Sequence, residues 1–151
     1  MASIWLPRLA IERWTKITGA PDEARVALVE EGPHGQLVSA VTDAARAVGA
    51  RPGMRLTDAR ALDPALVAVV ADHDGDCALV ARLARWASRW SPLVEVDGPD
   101  GLRLDTSGVA HLFGGEAALV CDMEARFAAL GLTARVAVAA TAGAAWGLAR
   151  Y

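Results

Sequence analysis

From Ala65 to Thr141 the hydrophobic pattern changes period in a fixed order. "ALVAVV" is a short apolar run of strand type, and "DHDGDCALVARLARWASRW" then puts Leu79, Leu83, Trp86 and Trp90 on one helical face. "PLVEV" and "GLRLDTS" read as two strands joined by the turn "DGPDG". "EAALVCDMEARFAALG" returns to helical spacing through Leu119, Met123, Phe127 and Leu130, and Gly131 closes it. "LTARVAVAA" is a further strand, and a terminal helix starts near Thr141. Strand, helix, two strands, helix, strand is the split βαβ, or ferredoxin-like, order. The N-terminal run "SIWL" reads as an added buried strand. The expected class is therefore α+β.

Between "SIWL" and Ala65 the elements are smaller. Pro7 suits the first turn of a helix whose apolar positions are Leu9, Ile11 and Trp14, and "TGAPDEA" breaks the pattern. "RVALVEE" and "QLVSAV" predict a hairpin across the four-residue loop "GPHG". A short helix over Thr42–Gly49 is capped by Thr42 or Asp43, and a second, in "LTDARALDP", has Thr57 as its candidate cap. Residues near 12 to 68 are thus expected to form a small α/β insertion.

Composition removes several classes. At 54% hydrophobic the chain can bury a core, and its net charge of −3 argues against a generic nucleic-acid binder. Arg82, Arg85 and Arg89 share a helical face, which reads as a phosphate-facing strip or, more plainly, as a solvated face. Cys77 and Cys121, and His34, His73 and His111, are too dispersed for a zinc site, and the thiols read as reduced. Pro7, Arg8, Glu12 and Arg13 interrupt the N-terminus where a signal peptide needs an apolar run. No stretch approaches the roughly 20 apolar residues of a membrane span. A soluble, cytoplasmic protein is expected. "AATAGAAWGLARY" reads as a helix still under way, so the natural chain is expected to continue past Tyr151.

The candidate chemistry sits in "VDGPDGLRLDTSG", which carries Asp97, Asp100 and Asp105. Clustered carboxylates hold Mg²⁺ for phosphoryl or nucleotidyl transfer. Asp also serves ordinary turns by bonding its own backbone. Spacing alone leaves both readings open. Neither a P-loop nor a GxGxxG turn is present to support a small-molecule-binding module.

The segments "LPRLAIER", "ALVEEGPHGQ", "AARAVGARPGM", "SPLVEVDGPDGLRLDTSG", "HLFGG" and "GAAWGLAR", in this order, resemble the palm and fingers of a Y-family DNA polymerase. The likeness is strongest to the polymerase-like bacterial mutagenesis proteins of that family. It implies a palm of residues 1–11 and 69–151, a fingers-like insertion of residues 12–68, and thumb and little-finger domains beyond residue 151. Active members carry a metal-binding Asp in the first strand. The resemblance puts Ser3 there, with Trp5 near a position where another acidic residue is common. Aligned without gaps, the family's Ser-x-Asp-Glu falls on Gly98, Pro99, Asp100 and Gly101, so Asp100 keeps the Asp and Gly101 replaces the Glu. Asp105 matches a later Asp of structural role. Arg46 matches the fingers Arg that meets the incoming triphosphate, Asp43 replaces its Tyr companion, and the late palm Lys falls on or near Trp146.

Two-metal transfer needs several carboxylates around ions about 4 Å apart, and one carboxylate makes a weak Mg²⁺ site. The resemblance therefore implies a vestigial active site (Ser3, Trp5, Asp100, Gly101) and a vestigial nucleotide site (Asp43, Arg46, Trp146). It implies no catalytic residue, no metal and no cofactor. The implied role is a catalytically inactive scaffold of a bacterial translesion synthesis and induced mutagenesis complex. Its implied partners are an ImuA-type RecA-like protein and, through regions beyond residue 151, the sliding clamp and an error-prone replicative-type polymerase. DNA would be bound weakly if at all. Trp14, Trp86, Trp90 and nearby arginines are candidate anchors for protein partners. The alternative is an active or weakly active metal-dependent translesion polymerase using displaced carboxylates among Glu95, Asp97, Asp100 and Asp105.

Overall fold

The computed structural model describes all of residues 1–151. The chain divides into two compact units, one of Met1–Leu9 with Asp74–Tyr151 and the other of Ala10–His73.

The larger unit is built on strand β1 (Ala2–Trp5). Ala2, Ser3 and Ile4 are all buried, as befits a strand with neighbours on both sides. Before Asp74 the chain also forms α1 (Leu9–Thr18), β2 (Val26–Gly32), β3 (Gly35–Val41), α2 (Asp43–Ala47), α3 (Leu56–Leu62) and β4 (Val67–Val70), and α4 (His73–Trp86) then leads on. There follow a 3-10 turn, β5 (Val94–Val96), β6 (Gly101–Leu104), a second 3-10 turn over Ala110–Phe113, α5 (Glu116–Ala129), β7 (Arg135–Val138) and α6 (Ala142–Arg150). The sheet order is β5-β6-β1-β7, antiparallel throughout, which is the ferredoxin-like arrangement with β1 as its first strand.

The strand read at Ala65–Val70 forms, as β4, but it does not open this sheet. It pairs in parallel with β2 in a separate three-stranded sheet of order β3-β2-β4. An apolar run identifies a strand without identifying its partner. "SIWL" is accordingly the first strand of the ferredoxin-like unit and not an addition to it. The hairpin between β2 and β3 is also tighter than expected. Gly32 pairs directly with Gly35, leaving Pro33 and His34 as a two-residue turn.

Local chemistry explains the ends. Thr42 Oγ1 caps α2 by accepting from Ala45 N–H at 3.3 Å, and Thr141 Oγ1 caps α6 by accepting from Ala144 N–H at 3.2 Å. α3 begins one residue before the candidate cap Thr57, with Arg55 at its N-cap and no side-chain cap bond. Alternation on β1 and β6 sends Ile4, Leu102 and Leu104 to one face, where they join Val80, Leu83, Leu119, Met123 and Phe127 in the buried cluster. Trp86 stands edge-on to both Trp90 (5.0 Å between centroids) and Phe127 (5.2 Å). Trp90 is 2% exposed and donates Nε1–H to Asp122 Oδ2 at 2.7 Å. It is a core residue and not the surface anchor its sequence position allowed. The smaller unit has its own cluster, around Ala27, Val29, Val38, Val41 and Leu56. No helix is long and apolar enough to cross a membrane.

Candidate functional site

The face of the larger sheet opposite the core carries the residues singled out from sequence. β1 turns Ser3 and Trp5 away from Ile4, and β6 turns Gly101 and Arg103 away from Leu102. The register sets Trp5 opposite Gly101 and Ser3 opposite Arg103. α6 packs on β1 and β7. Its buried residues are Ala145 and Ala149, whose small side chains permit a close approach.

The "DGPDG" turn is tied down by backbone bonds. Asp97 N–H donates to Gly101 O at 2.9 Å, and Leu6 N–H donates to Asp100 O at 2.8 Å. Gly98 sits at φ 75°, a left-handed conformation that costs glycine little. Asp100 Oδ2 accepts from Trp5 Nε1–H at 2.9 Å. The indole thus occupies the carboxylate that the family likeness retains.

Arg150, which the sequence reading passed over, joins these groups. Its Nη1 donates to Ser3 Oγ at 3.5 Å, and its Nη2 lies 3.7 Å from Asp97 Oδ2. Its guanidinium carbon is 4.5 Å from the Trp146 ring centroid and 5.7 Å from that of Trp5. Its side chain is only 11% exposed. Arg135 reaches Trp5 from β7, 5.6 Å from the ring centroid. Ser3, Trp5, Gly101 and Trp146 are therefore brought together around one arginine, and Asp100 joins them through Trp5. Asp43 and Arg46 belong to the other unit, exposed at the two ends of α2, where Arg46 O accepts from Arg51 Nη1 at 2.7 Å.

The four hairpin carboxylates have four different partners. Glu95 pairs with Arg103, Asp97 faces Arg150 and Asp100 takes the Trp5 indole. Asp105 accepts from Ser107 N–H at 2.9 Å, and the Ser107 side chain and backbone together hold its carboxyl below the usual range. No three or more His, Cys, Asp or Glu side chains form a group that could hold a metal ion. A Cβ at Gly101 would meet Asp97 O at 2.6 Å, Arg150 Nη2 at 2.9 Å and Ile4 O at 3.3 Å, so a glutamate does not fit there without a backbone shift. The residues present do not suit a two-metal centre.

The one sequence signal for Arg150 is its spacing from Trp146. Residues four apart on a helix are neighbours, and "WGLAR" sets an aromatic under a cation at that interval.

Residues 20–150 match the sequence profile of the impB/mucB/samB family. Over 106 residues the chain is 51% identical to Protein ImuB of Caulobacter vibrioides, in strains NA1000 / CB15N and CB 15, covering 69% of this chain and 23% of theirs. It thus spans about a quarter of the length of these curated relatives. In three dimensions it is similar to DinB from Sulfolobus solfataricus, with a TM-score of 0.76 at 15% identity over 93% of this chain and 42% of that one. It is similar also to Dbh DNA polymerase in an insertion ternary complex, with a TM-score of 0.82 at 16% identity over 98% of this chain and 44% of that one.

Proposed function

The chain belongs to the impB/mucB/samB family and has the palm-and-fingers fold of Y-family DNA polymerases, and from that membership we propose that it is a polymerase-like scaffold without nucleotidyl transfer of its own. In this proposal Met1–Leu9 with Asp74–Tyr151 serve as palm and Ala10–His73 as fingers. The observation that carries it is the Trp5 Nε1–Asp100 Oδ2 bond at 2.9 Å. A carboxylate engaged by an indole N–H, beside Ser3 and a crowded Gly101, is poorly placed to collect metal ions with partner carboxylates. Asp43 and Trp146, at positions that the family likeness assigns to the triphosphate, add repulsion and bulk where favourable contacts are needed.

The role that remains is assembly in bacterial DNA damage tolerance. The likeness to Protein ImuB supports a place in a translesion synthesis and induced mutagenesis complex. An ImuA-type RecA-like protein is the proposed partner of this region. The sliding clamp and an error-prone replicative-type polymerase would be reached through parts of the full-length protein beyond residue 151.

Two assays test the proposal. Primer extension with Mg²⁺ or Mn²⁺ by the full-length protein is expected to give no product. Incorporation that survives repurification and is lost in Asp100→Ala would overturn the inactive reading. Restoring Ser3→Asp with Gly101→Glu is not expected to create a good polymerase. In pull-downs the 151-residue chain is expected to retain the ImuA-type protein, and failure to do so would move that contact elsewhere.

A further inference from the structure

We infer that the Arg150 guanidinium is a built-in cation at the "DGPDG" turn, filling with a fixed charge the place where divalent ions would otherwise gather. The inference rests on reading this hairpin as a former metal centre. Three independent features point to Arg150. It is mostly buried, with 11% of its side chain exposed, where an arginine on a helix usually reaches water. It faces the two residues that bracket the site, Ser3 from the central strand and Asp97 from the turn. Its guanidinium carbon lies over the ring of an aromatic, Trp146, with Trp5 close by.

The chemistry suits replacement. A guanidinium cannot lose its proton in a protein, is weakly hydrated, and stacks on rings. It can neutralise Asp97 without the rigid oxygen cage that a small divalent ion demands. Gly101 is part of the same seat, because a Cβ there would come within 2.9 Å of Arg150 Nη2. The glycine that removes a carboxylate also makes room for the arginine. A divalent ion approaching Asp97 and Asp100 would meet a positive charge that is already paired.

The test uses terbium, a hard, oxygen-seeking ion whose emission a nearby tryptophan sensitises, and Trp5 lies at the carboxylate in question. The wild-type 151-residue chain is titrated beside Arg150→Gln, which keeps a polar side chain but removes the charge, and Arg150→Met, which keeps an unbranched apolar stem. Arg150→Lys keeps the charge. The expected result is saturable emission in Arg150→Gln and Arg150→Met, because a fixed repulsive charge has gone. Adding Asp97→Asn should abolish that emission, and wild type and Arg150→Lys should remain dark. Folded but dark Arg150→Gln and Arg150→Met would overturn the inference. So would saturable emission from wild type that Asp97→Asn removes, and this arm decides the matter even if the Arg150 variants do not fold. Primer extension distinguishes the two proposals. Nucleotide incorporation by the full-length protein would sink the scaffold reading, whereas dark Arg150 variants of an inactive protein would sink this one alone.

Discussion

Gly101→Ala adds a single methyl group at the most crowded glycine of the sheet. The new carbon would lie 2.6 Å from Asp97 O, well inside contact distance, and 3.3 Å from Ile4 O. Both neighbours are backbone atoms. One belongs to a turn fixed by its own hydrogen bond to Gly101, and the other to the central strand, so neither yields without disturbing the ladder. Arg150 Nη2, 2.9 Å away, is the only one that can swing aside, and doing so breaks its approach to Asp97. Overpacking of this kind costs about 1–3 kcal/mol. The loss of glycine's freedom in the unfolded chain returns about 0.4–1 kcal/mol. A net loss of about 1–2 kcal/mol is expected, or a fall in Tm of about 2–8 °C for a chain of this size. Gly147→Ala in α6 is the matched control, since a Cβ there meets nothing within 4 Å. It should gain about 0.5–1 kcal/mol from helix propensity. Urea and thermal unfolding of the three proteins measure both effects. If Gly101→Ala equals or exceeds wild type in stability, the turn is not as tightly seated as described, and the steric case against a glutamate at this position fails with it.

Three further outcomes are expected. The bond from Trp90 Nε1–H, aided by Arg126, holds the Asp122 carboxyl below its ordinary range. A depressed carboxylate stabilises the fold above its unfolded pKa and loses that contribution as acid protonates it, so Asp122→Asn should cost about 1 kcal/mol at neutral pH. That gap should narrow below about pH 4, and urea melts across pH that show a constant gap would contradict it. Trp90→Ala should cost about 3–5 kcal/mol. Trp146→Ala, at a 41% exposed ring, should cost under about 1 kcal/mol, and equal losses in thermal melts would refute this division of core from surface. The 151-residue chain, at net charge −3, should bind duplex DNA weakly. Sub-micromolar, steeply salt-dependent binding would show that the exposed Arg82, Arg85 and Arg89 engage phosphate.

Much of the architecture can be read from period and punctuation. Leu119, Met123 and Phe127 recur at helical spacing and are all fully buried, and Thr42, Thr141 and Gly131 mark helix ends by local chemistry alone. Local chemistry does not decide partnership. β4 is a strand by composition, but its parallel pairing with β2 depends on the path of the chain between them. The site divides in the same way. Ser3, Trp5, Asp100 and Gly101 meet because β1 and β6 pair in one register, which alternation and segment order made legible. Arg150 was not legible, because it lies 147 positions from Ser3 and, in one dimension, resembles any cation at the end of an amphipathic helix.

The central place of β1 also bears on the order of folding. Its partners are β6 and β7, with Trp5 and Asp100 separated by 95 positions, so β1 has no strand neighbour until β6 has been made. Closing such a loop carries an entropic cost that grows slowly with length, about 0.6 kcal/mol for each doubling. Contacts this distant in sequence slow folding far more than they weaken the final state. The segment between, Ala10–His73, has its own buried cluster and a two-residue hairpin turn, so it is expected to collapse first and shorten the loop that remains. Until β6 and β7 arrive, "ASIW" is an unpaired apolar edge, the stretch at which a nascent chain of this design is most exposed to mispairing.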